Sequence, residues 1–320
     1  MQLYVHYFSN AKVIVIATIK PEQNSKRKLT MYTLFMDTDM DITPEIAKTF
    51  GAKLISMPYT LDEKTIYPYV DFKEFDYHAF YERLRQPGPL PTTSALSPVD
   101  YVNYFEPEFK AGRDILYVHF SAAMTSTFNS MRLALEELKE KYPERQVFEV
   151  DTKGITIESL GIALEIGDMY KAGKSIEEIL NWAEEEVDKF AIFFYADDLK
   201  FFHRSGRVGG FSAFFGNILG IKPIINMDTK GTMQACGKGR GRQQSLKKIL
   251  DSVIELEDHI RDHRVIIGHT DALPIAEEFG ALLKKQFGED LNIMYVPTNP
   301  TAGAHCGPNA IGVCFHAKHR

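Results

Sequence analysis

Short apolar segments alternate with amphipathic helical segments along most of this chain, and this alternation limits the folds that are open to it. From Met31 onward, each apolar stretch is followed by a segment with apolar residues at helical spacing, as at Met131, Leu135 and Leu138. Strands and helices in this order typically build a parallel sheet that is covered by helices. The pattern therefore predicts an α/β protein with a mostly parallel sheet. The predicted strands cover residues 32–36, 114–120, 146–150, 190–196, 265–269, 292–296 and 311–315.

A length of 320 residues is sufficient for two domains of ordinary size. A helix is predicted over 158–171, and the next begins at Ser175, whose side chain forms a capping box with Glu178. We place a domain boundary near residue 186, which gives an N-terminal α/β domain with the mostly parallel sheet at 31–186 and a smaller C-terminal α/β domain at 187–320. Residues 1–30 lack the pattern, and we interpret them as an N-terminal extension or as the product of an upstream start codon.

Composition excludes several classes of protein. The net charge of -6 argues against nucleic acid as the main partner, because phosphate binding draws on clustered Lys and Arg. No apolar run approaches the ~20 residues that are needed to span a bilayer. The three cysteines, Cys236, Cys306 and Cys314, show no CxxC spacing and cannot all pair with one another. This favours a reducing, cytoplasmic setting.

An acidic segment, Asp37-Thr38-Asp39-Met40-Asp41, follows the first predicted strand. An EF-hand would need glycine at position 42 and a carboxylate at position 48, where the chain has Ile42 and Lys48. A haloacid-dehalogenase type of phosphotransferase would not place Asp41 at the last position of the motif. A capped turn between strand and helix, with Asp and Thr bonded to the local backbone, is the favoured interpretation.

Two clusters of hydroxyl side chains are predicted at helix N-termini. Thr92-Thr93-Ser94 comes just before Ser97, which is a predicted N-cap. Ser121 and Thr125-Ser126-Thr127 follow the strand that ends at Phe120. Capping needs only one hydroxyl for each helix, so the remaining hydroxyls are spare donors. Free N–H groups and the helix dipole favour an anion at such places.

A single histidine, His305, stands in the segment from Ala304 to Gly312, which is rich in glycine and proline and is predicted to be a bent loop. Histidine readily offers a hydrogen-bond donor to an anion near neutral pH. No G-x-S-x-G motif is present, and no acid is assigned to orient His305, so a serine hydrolase is not predicted. Neutral donors around one histidine suit the binding of a carboxylate. Phenylalanines that could line an apolar tunnel beside it are Phe193, Phe194, Phe201, Phe202, Phe211, Phe214 and Phe215.

Seven groups of residues follow one another in the order of a known set of motifs. They are Asp37-Thr38 with Asp41, Thr93-Ser94, Ser121 to Asn129, Asp151-Thr152-Lys153, Phe202 to Val208, Lys222-Pro223 with the loop Lys238 to Gly241 (part of a predicted basic loop at 238–242), and His305 to Gly312. The first resembles an Asp-Ser-Thr-x-Asp motif, and the last resembles His-Thr-Gly-Pro-Gly-Ala-x-Gly. On these residues, the chain from Met31 to Phe315 resembles the DegV family of bacterial fatty-acid-binding proteins, the FakB-type carriers.

The resemblance implies two α/β domains with one long-chain fatty acid buried between them. Its carboxylate would be bound by Thr93, Thr125 and His305, with Ser94 and Ser126 nearby and Gly307 and Asn309 shaping the ligand loop. The family implies a carrier that performs no chemistry, needs no cofactor or metal, and presents the carboxylate to a separate fatty acid kinase of the DhaK/DhaL-like type. Arg207, Lys238 and Arg240 are the candidate contacts with that kinase.

The chain departs from the family pattern at several positions. Thr125 replaces serine, which keeps the hydroxyl but restricts χ1. Ala123 and Ser126 replace glycines, Cys306 replaces threonine, and Asn309 replaces a glycine, although Asn tolerates the left-handed backbone region better than most residues. These changes bear on head-group geometry and chain preference.

Two other functions remain open from the sequence. One is a metal-dependent phosphotransferase that uses Asp37 and Asp39, and the other is a lipid-sensing regulatory protein with the same pocket.

Overall fold

A computed structural model describes residues 32–198, 200–202 and 220–320 of the chain. The predicted extension at residues 1–30 and the candidate kinase contact Arg207 lie outside these ranges. The described strands are β1 (Tyr32–Asp37), β2 (Lys53–Ile55), β3 (Tyr59–Leu61), β4 (Lys64–Ile66), β5 (Thr92–Thr93), β6 (Asp114–His119), β7 (Val147–Asp151), β8 (Phe190–Tyr195), β9 (Ile221–Met227), β10 (Met233–Arg240), β11 (Val265–His269), β12 (Ile293–Pro297) and β13 (Ile311–His316).

The described helices are α1 (Pro44–Phe50), α2 (Tyr77–Arg85), α3 (Pro98–Lys110), α4 (Thr127–Lys141), α5 (Thr156–Lys171), α6 (Ile176–Glu186), α7 (Gly241–Leu256), α8 (Leu273–Phe287) and α9 (Pro300–Cys306). The predicted capping box at Ser175 is confirmed, since its side chain accepts a bond from the backbone N–H of Glu178. Ser97 caps α3 in the same way with Asp100. In the ranges that the structure covers, no helix is both long enough and apolar enough to cross a membrane.

The first sheet has the predicted parallel arrangement, with strand order β2-β1-β6-β7. Its central strands, β1 and β6, are buried along almost their whole length. Such strands read as continuous apolar runs because helices cover both faces. After β1 the chain adds β2 on one side, and after β6 it adds β7 on the other side. The order in which strands are added therefore reverses between β1 and β6, although these two strands are parallel. A reversal of this kind opens a crevice at the carboxyl ends of the strands.

The second sheet is mostly antiparallel, with strand order β10-β9-β8-β13-β11-β12. Only the β11–β12 pairing is parallel. The mostly parallel sheet predicted for residues 31–186 is the first sheet, and the second sheet has this different arrangement. An apolar run predicts a buried strand but not its direction, and β8 is an example, since all six of its residues are buried.

A third, small sheet was not predicted. β3 pairs antiparallel with both β4 and β5, and α2 packs beside it. Buried Tyr59, Phe80 and Tyr81 form the centre of its own apolar cluster. This sheet places Thr93 at the edge of the space between the two larger sheets.

Helix α5 lies between the two larger sheets. Its side chains are buried on nearly all sides, as expected for a helix that is enclosed by protein. A Cβ atom at Gly161 would lie 3.2 Å from the sulfur of Cys314 in the second sheet, and one at Gly167 would lie 2.7 Å from the ring of Phe50 in α1. Glycine at these positions allows the helix to approach both halves closely. The domain boundary near residue 186 stays a prediction.

Candidate functional site

A cavity of about 170 Å³ lies at the carboxyl ends of β1 and β6, where the strand order of the first sheet reverses. Ligands of open α/β sheets bind in such crevices. Residues from both halves of the chain form the walls, and all five predicted head-group contacts are among them. The lining residues are Asp39, Met57, Thr93, Ser94, Ala95, Phe120, Met124, Thr125, Ser126, Thr127, Ile155, Thr156, Phe202, Met233, Thr301, Ala302, His305 and Cys306.

Thr93 and Ser94 reach the cavity from the small sheet and not from a helix N-terminus. Thr93 lies in β5, opposite Tyr59 of β3, and Ser97 begins α3 only afterwards. The prediction that this cluster sits at the N-terminus of a helix is therefore wrong. Strand pairing turns the half-buried Thr93 toward the cavity and leaves Ser94 exposed beside it.

Thr125 and Ser126 lie at the N-terminus of α4, as predicted. The Oγ1 atom of Thr125 accepts a bond of 3.1 Å from the backbone N–H of Thr127. The Ser126 side chain makes no capping bond. Thr125 is half-buried whereas Ser126 is exposed. The exposed Ser94 and Ser126 mark the side on which the cavity meets solvent.

His305 lies in the last turn of α9, and the prediction that it stands on a bent loop is wrong. Asn299 caps this seven-residue helix through a bond from the backbone N–H of Ala302, and Pro300 occupies its first turn. The Nε2 atom of His305 lies 3.2 Å from Oγ1 of Thr93. A hydrogen bond thus joins a residue of the small sheet to the C-terminal half across the cavity.

Gly307 and Asn309 follow α9 and do not line the cavity. Gly307 has a φ of 69°, and a Cβ atom there would overlap the buried ring of Phe201. Asn309 has a φ of 66°, so it adopts the left-handed backbone expected of the glycine that it replaces. Its backbone N–H donates to the carbonyl of Thr270. These two residues shape the chain between α9 and β13.

A second, apolar cavity of about 30 Å³ adjoins the first. Ile155, Thr156 and Cys306 line both cavities, so these residues lie between the two spaces. Of the predicted tunnel residues, Phe202 lines the first cavity and Phe194 the second, whereas Phe193 and Phe201 pack in apolar clusters. Phe211, Phe214 and Phe215 lie outside the described residues.

The acidic segment forms a capped turn, as favoured from the sequence. Asp37 accepts a bond from the backbone N–H of Asp39 through Oδ1, and bonds from Tyr117 and the Phe120 N–H through Oδ2. Burial raises the pKa of Asp37 to about 7. Among the described residues, no group of three or more His, Cys, Asp or Glu side chains is arranged to hold a metal ion.

Asp41 joins this turn to α9. Its Oδ1 atom accepts bonds of 2.7 Å from both the backbone N–H and the side-chain amide of Asn299. Its φ is 55°, and burial raises its pKa to about 7. The residue that caps α9 is thereby anchored to the turn after β1.

Several lining residues were missed from the sequence. Met57, Met233 and Thr301 carry no pattern that distinguishes them from core residues. Asp39 belongs to a segment that was considered only for metal binding and capping. Cys306 was noted as a free cysteine and as a departure from the family pattern, but not as a cavity residue.

The two described candidate kinase contacts lie on strand β10. Lys238 and Arg240 are exposed there, at the edge of the second sheet. The prediction of a basic loop at 238–242 is wrong, because β10 continues to Arg240 and α7 begins at Gly241. Neither side chain lines the cavity.

Comparison with known proteins gives a consistent result. Residues 32–318 match a family model described as "Uncharacterised protein, DegV family". A DegV domain-containing protein of Clostridium perfringens is 31% identical over 288 residues, which cover 89% of this chain and 97% of that protein.

Solved structures show the same fold. A stearic-acid-binding protein from Eubacterium ventriosum is similar with a TM-score of 0.78 and 21% identity, covering 90% of this chain and 99% of that one. DegV from Bacillus subtilis, described as a fatty acid binding protein, has a TM-score of 0.76 and 23% identity, covering 90% of this chain and 100% of its own. The family match and the identity to the Clostridium protein together show that this chain is a member of the DegV family.

Proposed function

We propose that this protein binds a long-chain fatty acid between its two halves and presents the carboxylate to a separate fatty acid kinase. The observation that carries the proposal is that Thr93, Thr125 and His305 line one cavity, at the point where the strand order of the first sheet reverses. These residues come from three separate elements, and capping accounts for only one bond, that of Thr125.

The head group of the lipid would lie among neutral donors. Hydroxyl groups and an imidazole can each donate a hydrogen bond to a carboxylate oxygen. Such bonds to a charged group stabilise a complex by about 1.5–3 kcal/mol each. The exposed Ser94 and Ser126 place this end of the cavity next to solvent, where a second protein could reach it.

The acyl chain would extend past Cys306 into the apolar cavity between α5 and the second sheet. Ile157, Ile192, Phe194 and Ile311 line that space. Each buried CH₂ group contributes about 0.8 kcal/mol, so the chain supplies most of the affinity and the head group fixes the orientation. The small volume means that side chains must move to admit a long chain.

The carrier itself performs no chemistry in this proposal. A DhaK/DhaL-like kinase would bind at the open side of the cavity, and Lys238 and Arg240 are candidate contacts on β10, with Arg207 as a further candidate. The described cysteines Cys236, Cys306 and Cys314 are all free thiols, which supports a reducing, cytoplasmic setting. Solved proteins of the same fold that are named for fatty acid binding support the choice of ligand.

Organic extraction of the purified protein, followed by mass spectrometry, tests the proposal. We expect one fatty acid per chain, or its uptake when delipidated protein is incubated with oleate. A fatty acid kinase supplied with ATP should then form acyl-phosphate only when the loaded carrier is present. Protein that neither contains nor takes up a fatty acid would overturn the proposal, whereas binding without acyl-phosphate formation would overturn its kinase part.

A further inference from the structure

One acidic side chain, that of Asp39, lines the cavity that is proposed to hold the carboxylate of the lipid. Its backbone is fixed on both sides, because its N–H donates to Asp37 and its carbonyl accepts a bond of 3.2 Å from the side chain of Asn299. Its Oδ1 atom is buried and has no hydrogen-bond partner among the described residues. An unpaired buried acceptor is costly, and most of all when the group is ionised, so this burial favours the protonated form of the carboxyl group that lines the cavity.

Two ionised carboxylates in one buried space repel each other strongly. Pairs of carboxyl groups that share a site instead hold one proton between them, as in aspartic proteases. Burial, reinforced by the neighbouring Asp37, raises the pKa of Asp39 well above its usual range. The free protein can therefore hold a proton on Asp39 at a pH where a free fatty acid is ionised.

We propose that Asp39 is a further ligand-binding residue, and that it binds the carboxyl group of the fatty acid through one shared proton. The inference rests on the function proposed above and adds the ionisation state of the bound lipid. The proton remains on an oxygen of one carboxyl group and is donated to an oxygen of the other. The pair carries a single negative charge, and no other bond forms or breaks. The motif that this segment resembles has threonine at this position, so the acid is a feature of this chain.

Other titratable groups surround this position, and their charges contribute to any pH dependence. They are Asp37 and Asp41 in the same turn, His305 and Cys306 in α9, Tyr101 in α3, and Tyr117 and His119 in β6. A variant at Asp39 is therefore needed to separate its proton from theirs.

The experiment measures proton uptake on binding of dodecanoate to the delipidated full-length protein. Titration calorimetry at one pH in two buffers of different ionisation enthalpy gives the number of protons taken up, and it is repeated from about pH 6.5 to about pH 9.5, where the free lipid is ionised. Above the pKa of Asp39 in the free protein, binding must recruit a proton. The affinity then falls by up to about tenfold for each pH unit.

Asp39→Asn is the decisive variant, because its amide can still donate to a carboxylate but cannot share an acidic proton. Glu158→Gln is the matched control. Glu158 is also fully buried, and neither of its carboxylate oxygens has a hydrogen-bond partner among the described residues, although Oε1 lies 3.9 Å from Nη1 of Arg320. It does not line either cavity. Asp39→Thr provides a second variant if the asparagine protein does not fold.

At the alkaline end of this range, the proposal expects the wild type and Glu158→Gln to take up about one proton more on binding than the Asp39 variants do. The affinity of the Asp39 variants should also change less with pH than that of the wild type. Equal proton uptake in the wild type and the Asp39 variants would overturn it. So would a wild type without proton uptake across the range, or a loss of uptake in Glu158→Gln. A wild type that binds no fatty acid at all would overturn the function proposed above instead.

Discussion

The Oγ1 atom of Thr93 and the Nε2 atom of His305 lie 3.2 Å apart, although 212 positions separate them in the chain. The contact depends on how α9 is seated. The hydroxyl of buried Tyr81 donates a bond of 2.9 Å to the carbonyl of Thr298, just before α9, and Gly303 leaves room for its ring. The small sheet and α2 thus position both partners of this pair.

Thr93→Val is expected to weaken fatty acid binding roughly tenfold or more, because it keeps the shape of the side chain but removes a bond worth about 1.5–3 kcal/mol to a charged group. Dissociation constants measured by titration calorimetry check this. Thr65→Val, at an exposed position of β4 in the same sheet, is the control and should bind as the wild type does. Equal affinities for Thr93→Val and the control would contradict a head-group role.

Thr125→Ala should reduce acyl-phosphate formation far more than it reduces stability. Loss of its bond to the Thr127 N–H costs about 1 kcal/mol of folding free energy. Thr125→Ser keeps the hydroxyl and should restore both properties, and His305→Ala should behave like Thr125→Ala. Initial rates with a fatty acid kinase, set beside urea unfolding of the same proteins, separate the two effects. Losses of equal size in rate and in stability would show that Thr125 only caps α4.

Gly307→Ala should destabilise the fold by about 3 kcal/mol or more, since a left-handed backbone and a clash with Phe201 act together. Gly51→Ala is the comparison, because Gly51 has a φ of 71° with a ψ of 21° and no atom within 4 Å of an added Cβ. Gly307 combines its φ of 69° with a ψ of 178°, a region that is almost confined to glycine. The Gly51→Ala protein should lose only about 1 kcal/mol. Denaturant unfolding gives both free energies, and equal losses would be inconsistent with the packing of Phe201 described above.

Asp41→Asn should change the pH dependence of stability. The folded protein raises the pKa of Asp41 from 3.8 to about 7, so the unfolded chain releases this proton at a lower pH than the folded protein does. Stability therefore falls as the pH rises through this interval, by a few kcal/mol at most. The asparagine variant, which can still accept bonds from Asn299, should match the wild type near pH 4 and exceed it near pH 8.

The control for Asp41→Asn is Asp251→Asn, which removes an exposed carboxylate on α7. Urea unfolding of the three proteins between about pH 4 and about pH 8 gives the comparison. A constant difference between Asp41→Asn and the wild type over that range would refute the prediction.

Charge reversal at Lys238 and Arg240 should slow phosphoryl transfer by the kinase without changing fatty acid content. Both side chains are exposed on β10 and do not line the cavity, so a variant with glutamate at both positions should alter docking alone. We expect the kinase to show a higher KM for the loaded double variant than for the loaded wild type, with little change in kcat. Lys285→Glu on α8 is the control, and unchanged kinetics in the double variant would remove these residues from the interface.

Local signals in the sequence predicted much of the fold. β1, β6 and β7 follow from apolar runs, and α3, α4, α5 and α6 follow from periodicity and from capping residues such as Ser97 and Ser175. The small sheet could not be found in this way, since β5 has only two residues and forms by pairing with β3. The antiparallel pairing of β8 with β13 could not be predicted either, because buried strands in parallel and antiparallel sheets have similar sequences.

The sequence predicted which residues form the candidate site better than it predicted the elements on which they lie. Thr93, Thr125 and His305 were selected from hydroxyl clusters, one histidine and a family resemblance, and the structure brings them to one cavity. Helix α9 was mistaken for a loop because Pro300, Gly303 and Gly307 are usual loop residues. Asp39 and Cys306 became apparent only from their place in the cavity walls.

The position of α9 late in the chain has a consequence for the order of events during synthesis. The strands of the first sheet are complete once Asp151 has been made, but the cavity lacks one wall until residues 300–306 emerge from the ribosome. Asn299 then joins Asp41, which was synthesised 258 positions earlier. A nascent chain therefore has no closed cavity during most of its translation, and the ligand proposed above could be loaded only after α9 is complete.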